Sequence, residues 1–145
     1  MSGGYVFDTE AIIAFLYNEP GHEAVAQLLD EVFTGHADGF LTETNASEVF
    51  YLVARFEGDD AVPTDASLRE ADRDIRALER QGVALEAANW RLAATVKADG
   101  SISLADAHAV ALAHEREATL VAGADDDFEE LPLPVDLHRF RDHGV

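Results

Sequence analysis

Short apolar runs separated by helix-length amphipathic stretches constrain this chain more than any other feature. Tyr5-Val6-Phe7, Phe40-Leu41-Thr42, Val83-Ala84-Leu85 and Thr119-Leu120-Val121 read as buried strands, and Val135-Asp136-Leu137 as a weaker fifth. After the first run, Ala11, Ile12, Phe15 and Leu16 recur at helical spacing until Glu19-Pro20-Gly21 stops them. A second helix is expected from about His22 to Phe33, with Val25, Leu28, Leu29 and Val32 on its buried stripe. A third is expected from Thr44 or Asn45 through Phe56. The next, capped by Thr64 or Asp65, turns Leu68, Ala71, Ile75 and Leu78 inward and ends near Gly82. Two more are expected, from Asn89 to Ala98 and from about Leu104 to His114. Strands apolar throughout and alternating with helices call for a parallel sheet covered on both faces. The expected fold is α/β: a three-layer α/β/α sandwich around a central parallel sheet of four to five strands, forming a single domain over 1–145.

Composition narrows the chemistry. A chain of 145 residues with 48% hydrophobic content can bury one real core. No apolar run approaches the roughly 20 residues of a membrane span, and no secretory pattern opens the chain, so a cytoplasmic protein without a membrane partner is expected. With no cysteine, disulfides, thiolate catalysis and cysteine-ligated metal centres are excluded. Ten basic residues against 29 acidic ones give a net charge of -19. Only Lys97 is a lysine, and the acids are spread along the chain instead of gathered in a tail. That pattern suits a halophilic proteome, where the Debye length falls to about 3 Å at 1 M salt. Net charge therefore does not exclude a nucleic-acid substrate.

In open parallel sheets, ligands bind beyond the carboxyl ends of the strands. Asp8 directly follows the first strand, and Asp125, Asp126 and Asp127 follow the fourth after Ala122-Gly123-Ala124. Glu48 lies one turn into the helix after the second strand, and Asp106 lies in the first turn of the helix opening near Leu104. Any one acid at such a place is unremarkable among 29. Glu48, flanked by Val49, Phe50, Leu52 and Val53, is expected on a largely buried helix, and Asp8 between an apolar strand and an apolar helix. The nearest basic residue to Glu48 in sequence is Arg55. Buried carboxylates without a counter-charge are costly, and a hard divalent cation, Mg²⁺ or Mn²⁺, would satisfy an all-oxygen set.

The runs Tyr5-Val6-Phe7-Asp8-Thr9, Asn45-Ala46-Ser47-Glu48-Val49, Ser103-Leu104-Ala105-Asp106-Ala107 and Leu120-Val121-Ala122-Gly123-Ala124-Asp125-Asp126-Asp127-Phe128 resemble the four acidic motifs of PIN-domain nucleases. In length and motif texture the chain is most similar to VapC-type toxins, from about residue 5 to residue 137. The resemblance implies Asp8, Glu48, Asp106 and Asp125 as the catalytic, metal-binding pocket, with Asp127 the next choice for the last ligand. It implies Mg²⁺- or Mn²⁺-dependent endonucleolytic cleavage of RNA, leaving 5′-phosphate and 3′-hydroxyl ends. It also implies a small VapB-like antitoxin as partner, a homodimer in many members, and Phe128 as a core anchor. Two positions depart from the pattern: Glu10 replaces a small hydroxyl or amide residue, and Ala122 replaces a hydroxyl residue.

Other features have plainer readings. Arg69, Arg73, Arg76 and Arg80 form a helical stripe that would contact phosphates or an acidic segment, yet Asp65–Arg69 and Asp72–Arg76 stand at i,i+4, as in a solvated salt-bridged face. Trp90 is expected in the core or at an interface, and Phe50, Tyr51 and Phe56 are read as core before dimer contacts. His108 and His114, six apart, do not share a helical face. A phosphoacceptor receiver domain is disfavoured, because Asp8 has no adjacent acid and Lys97 falls on a helix instead of a strand end. The remaining alternatives are a catalytically weak PIN-fold binding module and a housekeeping RNA-processing nuclease.

Overall fold

The computed structural model describes residues 4–123, 128 and 131–141. Its strands are β1 (Tyr5–Phe7), β2 (Gly39–Thr42), β3 (Val83–Glu86), β4 (Thr119–Ala122) and β5 (Asp136–Arg139). The helices are α1 (Thr9–Tyr17), α2 (His22–Phe33), α3 (Glu43–Phe56), α4 (Asp65–Arg80), α5 (Trp90–Asp99) and α6 (Leu104–Arg116). All pairings are parallel, in the order β3-β2-β1-β4-β5. The expected α/β/α architecture is what forms.

Alternation along β1 divides the core. Phe7 faces the side covered by α1 to α4, where it joins Ile12, Leu29, Leu41, Val49 and Ile75. Val6 faces the other side and packs with Val96, Val110 and Leu120 beneath α5 and α6. Phe128 is buried in that second cluster, as the family resemblance implies.

The strand order creates the one place where a ligand crevice is expected. The chain builds outward from β1 through β2 to β3, then returns to lay β4 against the other side of β1. The connections leaving β1 and β4 therefore diverge to opposite faces and leave a crevice at their carboxyl ends. Asp8 and Gly123 are the first residues beyond those two strands.

Four side chains with a core reading in the sequence lie exposed. Leu68 is 40% exposed instead of inward, because only Ala71, Ile75 and Leu78 lie on the α4 stripe that meets the core. Tyr51 and Phe56 are about half exposed. Trp90 lies outside the core at 68% exposure, with the Arg91 guanidinium 4.9 Å from its ring centre.

Candidate active site

Asp8 sits where three elements meet. Its backbone N–H donates to the Val121 carbonyl at 3.1 Å, continuing the β1–β4 ladder beyond the strand. Its side chain caps α1, with Oδ1 accepting from the Ala11 N–H at 2.7 Å. The Gly123 N–H also points at this carboxylate. Asp8 is nonetheless 1% exposed. Burial holds its carboxyl well above the usual carboxylate range, and repulsion from Asp106 and Glu10 adds to the shift, while the N–H groups of Ala11 and Gly123 oppose it.

The neighbouring acids arrive on helix starts. Ser103 caps α6 by accepting the Asp106 N–H at 3.1 Å, which fixes Asp106 in the first turn. The macrodipole favours an acid there, and the fold turns that local preference toward Asp8. Glu48 and Asp106 line one cleft of about 290 Å³ together with Thr9, Glu10, Ile13, Leu52 and Ser103. Glu48 is exposed, contrary to its expected burial. Its apolar neighbours Val49 and Val53 lie on the opposite, buried face of α3, and residues adjacent in a helical sequence point about 100° apart.

A buried polar network joins the two helices that carry Asp8 and Glu48. Thr42 caps α3 by accepting the Asn45 N–H at 2.9 Å, and its hydroxyl donates to Asn45 Oδ1 at 2.5 Å. The Asn45 amide in turn donates to Thr9 Oγ1 at 3.0 Å. Asn45 and Thr42 are fully buried, so every one of these bonds is made away from water. The sequence places Asn45 at the helix start and at the head of the motif that carries Glu48. A polar residue at a helix N-terminus predicts a cap, not a contact with a residue 36 positions away.

The second residue set that sequence reading missed is Glu10 with Arg141. Arg141 Nη1 donates to Glu10 Oε1 at 2.8 Å across 131 positions, and Nη2 lies 3.9 Å from Glu19. A cation therefore stands beside the acidic cleft although none is near in sequence. Gly123 accommodates Glu10, because a Cβ there would lie 2.4–2.5 Å from its carboxylate atoms.

The donor chemistry suits a hard cation: carboxylates only, one of them buried and repelled by its neighbours. Among the described residues no three acids or histidines are grouped tightly enough to hold an ion on their own. Asp125 and Asp127, the candidates for the last ligand, lie outside the described residues.

The sequence matches the PIN domain over residues 5–133. The chain belongs to the PIN domain family. No curated protein matches the sequence. Among solved structures, this PIN domain is similar to VapBC2 from Rickettsia felis, determined bound to a DNA fragment from its promoter: TM-score 0.69, 12% identity, covering 93% of this chain and 97% of that one. It is also similar to VapC20 of Mycobacterium tuberculosis, described as a toxin that cleaves the sarcin–ricin loop: TM-score 0.55, 15% identity, covering 81% of this chain and 87% of that one. At those identities the likeness establishes the fold. No helix among the described residues is long and apolar enough to cross a membrane.

Proposed function

We propose that this PIN domain is a Mg²⁺- or Mn²⁺-dependent endoribonuclease and the toxin of a type II toxin–antitoxin pair. The observation that carries the reading is Asp8, a carboxylate buried at the strand-order switch and repelled by Asp106. A fold does not retain such a group for stability, since neutralising it would relieve the repulsion. The fold it shares with a sarcin–ricin-loop-cleaving toxin supports RNA as the substrate, and the VapBC2 likeness supports a VapB-like antitoxin as partner.

Asp8 is the central ligand in this reading, and Asp106 with Asp125, or Asp127 in its place, completes the set. Glu48, exposed across the cleft, joins the ligands or orients the attacking water. A divalent ion bound there supplies an activated water and offsets charge on the phosphate. The protein's part is to hold the carboxylates fixed: Ala11 and Gly123 clamp Asp8, Ser103 fixes the turn bearing Asp106, and Asn45 ties α3 to α1.

The test is cleavage of a structured RNA containing a sarcin–ricin loop, with Mg²⁺ or Mn²⁺ and with EDTA, by the wild type and Asp8→Asn. Metal-dependent cleavage by the wild type alone is expected. Equal cleavage by both proteins would remove Asp8 from the site. A stable fold showing no cleavage and no thermal stabilisation by Mn²⁺ would leave a binding module instead of a nuclease.

A further inference from the structure

The Arg141 guanidinium is set deep against the α1–α2 junction. Its side chain is 15% exposed and lies 4.7 Å from the Phe140 ring centre. It makes one short hydrogen bond, to Glu10, while Nε and Nη2 are buried with no hydrogen-bond partner among the described residues. Desolvating an arginine for a single charged hydrogen bond does not help stability. The backbone is nevertheless shaped for it. Gly21 takes φ +88°, and a Cβ there would lie 2.4 Å from the Phe140 carbonyl and 3.2 Å from Arg141 Cβ, so the chain after β5 docks closely on the α1–α2 junction. Glu10 is gripped from both sides, by Arg141 and by the bare Cα of Gly123. It stands two residues from Asp8 and repels it.

We propose that Arg141 is a positioning residue for the acidic cleft, holding Glu10 against Gly123 and so keeping a surplus carboxylate out of the ion-binding set. This rests on the reading of the cleft as a divalent-cation site. A small hydroxyl or amide residue in place of Glu10 would need no such restraint; a glutamate does, because its longer arm and full charge let it compete for the ion beside Asp8. Arg141 also places one positive charge next to the cluster, which weakens cation binding relative to the same acids alone.

The experiment measures Mn²⁺ affinity by calorimetry for wild type, Asp8→Asn, Arg141→Ala, Glu10→Gln and the Arg141→Ala/Glu10→Gln double variant. Arg141→Ala is expected to bind Mn²⁺ about tenfold more tightly, the order by which groups around a metal's ligands move affinity, and the gain from the same substitution should be clearly smaller in the Glu10→Gln background, where only the loss of positive charge remains. In RNA cleavage the same variant should lose kcat with KM little changed, and Arg141→Lys should restore part of the rate. Glu10→Gln preserves shape and leaves the guanidinium charge balanced only by Glu19 at 3.9 Å, so it should weaken Mn²⁺ binding even if Arg141→Ala fails to fold. Wild-type binding that is lost in Asp8→Asn but unchanged in both Arg141→Ala and Glu10→Gln overturns the proposal and leaves the metal site standing. Equal gain from Arg141→Ala with and without Glu10 also overturns it. No Mn²⁺ binding by the wild type would remove the metal reading and this inference together.

Discussion

Two charge-dense regions of this molecule behave in opposite ways. At the carboxyl end of β1, Asp8 is buried, repelled by Asp106 and Glu10, and shifted toward protonation. On the outer face of α4, arginines and acids alternate in the open, and Arg76 meets Asp72 at 2.9 Å with side chains 64% and 51% exposed. The second region has more charges, yet its Arg76–Asp72 pair stands in water, each charge beside one of opposite sign. A count of charges does not distinguish a site from a surface. Burial without a counter-charge does.

The sharpest way to break the contrast is to neutralise Asp8. Asp8→Asn should lower metal-dependent RNA cleavage by about a hundredfold or more, since asparagine keeps the α1 cap but not the charge. Without metal, the same variant should melt at a higher temperature than the wild type at neutral pH. The sign follows from linkage: a carboxyl whose folded-state pKa is raised holds a proton that the unfolded chain has released. Folding stability from this group is therefore present at low pH and lost as pH rises from the ordinary carboxylate range through the raised value. Melting in EDTA across that window should show a decline in the wild type that is smaller in Asp8→Asn.

Asn45→Ala comes next. It would leave the Thr42 hydroxyl proton without its acceptor and the Thr9 oxygen without its amide donor, while the backbone cap onto Thr42 stays, at a cost of about 2–3 kcal/mol in chemical denaturation. Cleavage should fall too, because the join between α1 and α3 would loosen. Full stability with normal cleavage would mean that the network only fills space. Gly123→Ala is milder. The added methyl meets the end of a flexible side chain, so Glu10 can swing aside, giving up its bond to Arg141 for about 1 kcal/mol. A larger loss, not recovered by Glu10→Ala, would show that the backbone around Gly123 is what cannot move.

The contrast also explains what the sequence could tell. The described strands and helices were legible, because the period of apolar residues and a cap such as Thr64 are local signals. Asp8 and Asp106 were legible as acids at a strand end and a helix start. The surroundings of Glu48 were not: apolar neighbours in sequence imply burial only for residues on the same helical face, and Glu48 lies off the face of Val49 and Val53. Leu68 faces outward for the same reason, since an apolar side chain at helical spacing need not meet the core. Arg141 was invisible because its partner lies 131 residues away, joined only by the close docking of the segment after β5. The local half of the candidate site could be read, and the half created by tertiary contact could not.

The smallest effect is the most informative about α4. Arg76 and Asp72 form an i,i+4 pair in water, which adds little to stability even at low salt. Arg76→Ala should thus lower the melting temperature by about 1–2 °C, and the difference should fade as salt shortens the screening length. Mn²⁺ affinity should not change, since the pair has no share in the cleft lined by Glu48 and Asp106. RNA cleavage should keep its wild-type KM at every salt concentration. A KM that rises several-fold at low salt, with stability unaffected, would mean that the arginine stripe grips the RNA backbone. The two charged regions would then be parts of one binding surface instead of a site and a solvated face.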